Sequence, residues 1–257
     1  MSLPWKSELR LRLGREGCTA QVLAPWSRRL LAEARAEGRA PGSIAAALQT
    51  LRAQGQDPLP RHARLLVPDE HAYLSLRPAQ SHWQQARQDA GAHFAQALGR
   101  QDLVVQVTAL PGGAAWLAAA LEPGDLQAWR RPLEDAGIDL AHVQLTLLDD
   151  LRHVARHVGD SAIVALLREE GMTLVRVAAG TPVELSWERC DPHSLRCIEQ
   201  RLLAFQNTGA DTKPDPLWML CRSEAQREAW QQLARAHRWT LMLHGASPSA
   251  QPMELVA

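Results

Sequence analysis

Lysine is nearly absent from this chain: only Lys6 and Lys213 occur, and 26 of the 28 basic residues are arginine. That asymmetry reflects coding bias more than mechanism. Net charge is absent as well, because 28 Asp and Glu residues cancel the basic ones, so no whole-molecule field draws the protein to nucleic acid or to an anionic membrane. Nucleic acid is not an expected partner. Cysteine is scarce: Cys18, Cys190, Cys197 and Cys221 are too few to staple a chain of 257 residues and form no C-x-x-C pair, which fits a reducing cytoplasm. Long apolar runs are missing too. The longest, Ala114 to Leu121, falls far short of the roughly 20 residues of a spanning helix, and no charged-then-apolar signal segment opens the chain. A direct membrane span is not expected, and attachment through a membrane partner stays open.

What is present is a core-forming composition, 46% hydrophobic, enough for one large domain or two ordinary ones. Leu9, Leu11 and Leu13 alternate with Arg10 and Arg12, the period of a half-buried strand, and Gly14 to Gly17 make a turn into a second strand through Val22 and Leu23. An arginine-rich connection follows. Ser43 is placed to cap a helix carrying Ile44, Leu48 and Leu51, with Gly55 to end it. Leu65 to Val67 and Ala72 to Leu76 read as strands flanking a Pro68-Asp69 turn. Trp83, Ala86, Ala90, Phe94 and Ala97 form the stripe of an amphipathic helix. Leu103 to Leu110 is the next strand, and helix is expected from about Gly112 to Ala136, interrupted at Pro123-Gly124 and bent at Pro132.

Val143 to Leu148 reads as strand and Asp149 to His157 as helix. The opening move then recurs: Ile163 to Leu167, Thr173 to Val177 and Val183 to Trp187 make a three-stranded meander. Asp191-Pro192 starts a helix with the stripe Leu195, Ile198, Leu202 and Phe205. Leu217 to Cys221 is a short strand, Ser223 with Gln226 forms a capping box for Ala225 to Ala234, and Trp239 to Leu243 is a last strand. The second half is thus βββαβαβ, and the first half follows a similar order with an insertion near 60–110.

This duplicated plan resembles that of the actin-like ATPase superfamily. Within it, the ordered series Val104 to Val107, Leu110-Pro111, Trp129, Leu133-Glu134-Asp135-Ala136-Gly137-Ile138, Val143, Leu147 to Leu151 and Ile163 to Leu166 resembles PilM-type pilus assembly proteins. The same order is similar to the MshI-type pilus proteins and the cytoplasmic part of the type II secretion L protein. The resemblance covers roughly residues 64–206, with Ala136-Gly137-Ile138 at the place of the family's Ala-Gly-Leu/Ile element. It implies an α/β, actin-like ATPase fold of duplicated RNase H-like βββαβαβ halves: a first domain over 1–158 with a subdomain inserted near 60–110, a second over 159–244, and a flexible tail over 245–257.

An actin-like ATPase uses its two hairpin turns as phosphate loops, with an acid ending the first strand and small residues letting backbone amides approach the phosphates. Here the acid's place is taken by Arg12 or Leu13 in the first hairpin, and the second turn reads Leu167-Arg168-Glu169-Glu170-Gly171. Near the adenosine site the family's Gly-Gly element is replaced by Leu220-Cys221-Arg222-Ser223. The nucleotide loops are therefore degenerate, and no catalytic, cofactor-binding or metal residue is assigned.

Other constellations have plainer readings. His153 and His157 sit at zinc-sharing spacing on a helix, but lack the H-E-x-x-H glutamate and read as a solvated face. Cys190 and Cys197 flank a helix start and read as buried structural thiols. Glu169-Glu170 reads as a solvated turn and Asp149-Asp150 as a helix N-terminus. Trp83, Trp129, Trp187 and Trp230 are expected in the core, whereas Trp5 and Trp26 lie outside the stripes and suit a partner groove. Arg28-Arg29, Arg61 with Arg64, and Arg130-Arg131 are local basic patches that suit lipid headgroups or an acidic partner, against a plain reading of dispersed solvation.

The resemblance implies a non-catalytic cytoplasmic scaffold of a type IV pilus or type II secretion platform, peripheral to the inner membrane. It would hold a PilN-like cytoplasmic tail of a bitopic membrane protein in residues not assigned by sequence, with an assembly ATPase and self-association as further contacts. The alternative is an active actin-like ATPase with unusual phosphate loops, for which Asp160, just before the second meander, is the acid at hand.

Overall fold

The computed structural model describes residues 7–79, 82–110, 115–154, 157–168, 170–191, 194–207, 216–221 and 227–243. In chain order the first elements are β1 (Glu8–Leu13), β2 (Gly17–Leu23), β3 (Leu30–Glu37), α1 (Gly42–Ala53), β4 (His62–Val67), β5 (Tyr73–Pro78), α2 (Trp83–Leu98), β6 (Val104–Ala109), β7 (Ala115–Leu121), α3 (Pro123–Asp135) and β8 (Asp139–Leu145). There follow α4 (Thr146–Val154), β9 (Ala162–Leu167), β10 (Gly171–Ala178), β11 (Thr181–Arg189), α5 (Leu195–Asn207), β12 (Leu217–Cys221), α6 (Arg227–His237) and β13 (Thr240–Leu243). They fall in two compact units, Met1–His71 with Leu121–Leu148, and Ala72–Ala120 with Asp149–Ala257.

The two large sheets have one topology. The first runs β3-β2-β1-β4-β8 and the second β11-β10-β9-β12-β13, each a meander extended by two parallel strands. The repetition reaches the register, with Leu9 beside Ala63 in one sheet and Ile163 beside Leu217 at the equivalent place in the other. In the first unit, strand alternation sends Leu9, Leu11, Leu13, Cys18, Ala20 and Val22 into the core. There α1 packs against β2 and β3. In the second, β9 is buried along its whole length, and Ile163, Ala165 and Leu167 pack with Ile198, Leu202 and Phe205 of α5 and with Trp230 of α6.

Several expectations change. The arginine-rich connection contains a strand, β3, although Leu-Leu-Ala-Glu-Ala-Arg-Ala-Glu is rich in helix formers; pairing along β2 overrides propensity. The alanine-rich stretch expected as helix is β7, the central strand of a third sheet ordered β5-β7-β6. Its Ala118 and Ala120 are fully buried and pack with Ala90 and Phe94 of α2. The helix expected to begin near Gly112 therefore begins at Pro123. Ser43 does not cap α1: Pro41 holds the cap position, and Ser43 lies buried within the first turn. Trp83 is exposed and Trp187 half-buried, whereas Trp129 and Trp230 are core residues as expected. Pro192, Ser223 and Gln226 lie outside the described residues.

The Ala136-Gly137-Ile138 element has a physical account. The Ile138 N–H donates to the Leu133 carbonyl at 2.8 Å and the Gly137 N–H to that of Glu134 at 2.9 Å, with Gly137 at φ +74°. These bonds stop α3 and return the chain toward β8 with Leu133 and Ile138 both buried.

Candidate functional site

The ends of the parallel strands in an open α/β sheet are where ligands approach. Here those ends carry the two hairpin turns, and the turns repeat each other. The Gly14 N–H donates to the Gly17 carbonyl at 2.9 Å, and the Arg168 N–H donates to that of Gly171 at 2.8 Å. The Gly38 N–H donates to the Glu16 carbonyl at 2.8 Å, and the Cys190 N–H to that of Glu170 at 3.2 Å. Glycine opens the returning strand in both for one steric reason. A Cβ on Gly17 would stand 2.5 Å from the Ala36 oxygen, and one on Gly171 would stand 2.2 Å from the Glu188 oxygen. The matched pairs Leu13 and Leu167, Gly14 and Arg168, Glu16 and Glu170 thus define what each turn offers a ligand.

The second turn offers an arginine that is already occupied. Arg168 Nη1 donates to Asp150 Oδ2 at 2.7 Å, with side chains only 5% and 1% exposed. Asp150 comes from α4, so the expected solvated helix N-terminus is half right. Asp149 is partly exposed beside Arg152 at 3.7 Å, and Asp150 is buried. Glu170 lies 3.4 Å from Arg189 at the surface; Glu169 is outside the described residues. Beside the first turn an open depression of about 590 Å³ is lined by Arg15, Glu16, Glu37, Gly38 and Arg39, a wall of alternating charge.

Within the first unit, Asp69 follows β4 and is fully buried. Its Oδ1 accepts from the Thr146 hydroxyl at 3.2 Å and from the Leu147 N–H at 3.0 Å. A helix N-terminus attracts phosphate because its amides are unpaired. At α4 a carboxylate of this chain holds that place. Sequence reading missed Asp69, and the only available signal was an acid just past a buried strand.

The remaining residues disperse. The Asp160 carbonyl accepts from the Gly180 N–H at 3.0 Å, which puts Asp160 by the β10–β11 turn. That is the opposite end from Arg168 of β9, a strand of six residues and so roughly 20 Å long; the acid proposed for an active ATPase does not lie at the second turn. His153 and His157 have ring centroids 6.1 Å apart, and no group of three or more metal-ligand side chains occurs among the described residues. Burial pushes the Cys18 thiol up to about 12 and the Cys190 thiol to about 11, the latter with help from Cys197. Cys18 and Cys190 are buried, whereas Cys197, expected to be buried with Cys190, is only partly so. Arg64 lies 3.3 Å from Glu8 without an aligned hydrogen bond, Arg130 lies 3.9 Å from Glu134, and Trp5 is outside the described residues.

Two sheets of one βββαβαβ topology, each with a first hairpin turn of one design, define a protein of the actin-like ATPase fold. Solved structures agree. A chain of a PilM–PilN type IV pilus biogenesis complex matches with a TM-score of 0.74 at 11% identity, over 94% of this chain and 89% of that one. A Bacteroides thetaiotaomicron protein with actin-like ATPase fold and unknown function matches at 0.66 and 11% identity, over 96% and 93%. The cytoplasmic domain of EpsL, an inner membrane component of the Vibrio cholerae type II secretion system, matches at 0.53 and 13% identity, over 90% and 95%. No family model matches the sequence, and no curated protein does. The likeness to PilM and to the L protein read from the sequence is therefore met at the level of fold. Among the described residues no helix is long and apolar enough to cross a membrane.

Proposed function

We propose that this chain is a non-catalytic scaffold of a type IV pilus or type II secretion assembly platform, holding the cytoplasmic tail of a bitopic inner-membrane partner. The observation that carries the non-catalytic part is the Arg168–Asp150 pair. A phosphate loop needs small residues and a carboxylate that can hold a cation. This turn instead begins with a bulky cation neutralised from within. Asp69 on the α4 N-terminus supports the same reading in the first unit. The assembly role is supported by the fold shared with the PilM–PilN complex and EpsL, and the partner would be a PilN-like tail. We take 1–158 and 159–244 as its functional domains, with the protein held at the cytoplasmic side of the inner membrane by that tail.

The test is calorimetric titration of the full chain, first with Mg-ATP and then with a synthetic peptide of the cytoplasmic tail of a PilN-like protein from the same organism. The expected outcome is no heat with millimolar nucleotide and saturable binding of the peptide. Turnover of ATP, or peptide binding no tighter than that of a scrambled sequence, sinks the reading.

A further inference from the structure

Six consecutive residues running from the β2–β3 turn into the start of β3, Trp26, Ser27, Arg28, Arg29, Leu30 and Leu31, are all exposed. Trp26 is 70% exposed, Leu30 48% and Leu31 44%. No other stretch of that length among the described residues gathers three exposed large hydrophobic side chains. Left in water, such a group marks an interaction surface. The turn carrying them is tied at its base, where the Ala24 N–H donates to the Arg29 carbonyl at 2.8 Å, and again by the Ser27 N–H to the Pro25 carbonyl at 2.7 Å. Trp26 and Arg28 hold positive φ, 65° and 49°, a conformation that side chains disfavour and glycine would take freely.

Between the tryptophan and the leucines stand two arginines whose guanidiniums form no ion pair among the described residues. The nearest strand acid, Glu33, is engaged by Arg35 at 3.0 Å and by the Gln21 amide at 2.7 Å. Indole, guanidinium and aliphatic groups in one short segment match the layered chemistry of an anionic bilayer surface. Indole prefers the headgroup level, arginine pairs with lipid phosphates, and leucine enters the acyl boundary. With a formal net charge of zero, the rest of the molecule adds no long-range attraction, so binding is local, reversible and salt-sensitive.

We propose that the β2–β3 turn is a lipid-contact site for an anionic membrane surface. It does not rest on the scaffold reading, since an enzyme of this fold would carry the same surface. The test is flotation of the full chain with vesicles of phosphatidylcholine containing phosphatidylglycerol, against vesicles of phosphatidylcholine alone. Binding to the anionic vesicles only is expected, with the partition coefficient falling roughly tenfold or more in Arg28→Gln/Arg29→Gln and comparably in Leu30→Ser/Leu31→Ser. The arginine variant changes only exposed charges, and its melting temperature is checked against the parent. Absence of binding, equal binding to both vesicles, or binding unchanged in the arginine variant overturns the proposal. Sedimentation velocity distinguishes the other occupant: copies that associate through Leu30 and Leu31 without binding vesicles assign the surface to a second chain.

Discussion

Arg168 and Asp150 show why a residue's neighbours in sequence do not settle its chemistry. Asp149 and Asp150 are identical in type and adjacent, yet one is partly exposed beside Arg152 and the other is buried against Arg168. Charged side chains that deep require a partner, because desolvation otherwise outweighs every local gain. Replacing Arg168 by Ala removes the cation against which Asp150 is buried and is expected to destabilise the protein by about 3–5 kcal/mol, whereas Arg168→Met with Asp150→Leu is expected to be near neutral; urea unfolding of the single and double variants measures this. The thiols make a second prediction. With Cys18 held near 12 and Cys190 near 11, both stay protonated at pH 8 and are expected to resist a thiol-reactive dye until the chain unfolds. Unfolded thiols ionise around their ordinary value of 9.0, so the unfolded chain sheds protons first and stability falls as pH rises from about 9 toward 12. A melting series across that window, with Cys18→Ala as control, checks it.

At the scale of elements, alternation and stripes were legible where one face is core and the other is not. The hairpin of β1 and β2, the stripe of α5 and strand β12 follow the sequence closely. β3 and β7 were not legible, because alanine, glutamate and arginine favour helix locally and only the neighbouring strands make extended backbone the better choice. The cap of α4 is a similar case. Thr146 opens the helix, but the group accepting from the Leu147 N–H is Asp69, distant in sequence. Asp69→Ala is expected to cost about 1–2 kcal/mol through the lost cap, with Asp69→Asn recovering part of it; amide exchange at Leu147 and its neighbours, alongside global unfolding, tells a local loosening from a general one.

For the whole molecule, the balance of charge predicts colloidal behaviour. Net charge is zero at pH 7, so repulsion between copies is weakest there and grows as the chain takes up protons at lower pH. Light scattering is expected to show stronger attraction between molecules at pH 7 than at pH 5.5. The duplicated βββαβαβ plan and the burial of Trp129 and Trp230 were readable from residue order, since periodicity and residue type are local properties of the chain. The third sheet, the seclusion of Asp150 with Arg168, the capture of α4 by Asp69 and the removal of Asp160 to the far end of β9 were not. Each depends on which distant segments fold together, and a hydrogen bond or an ion pair acts only over a few ångströms that the linear order does not specify.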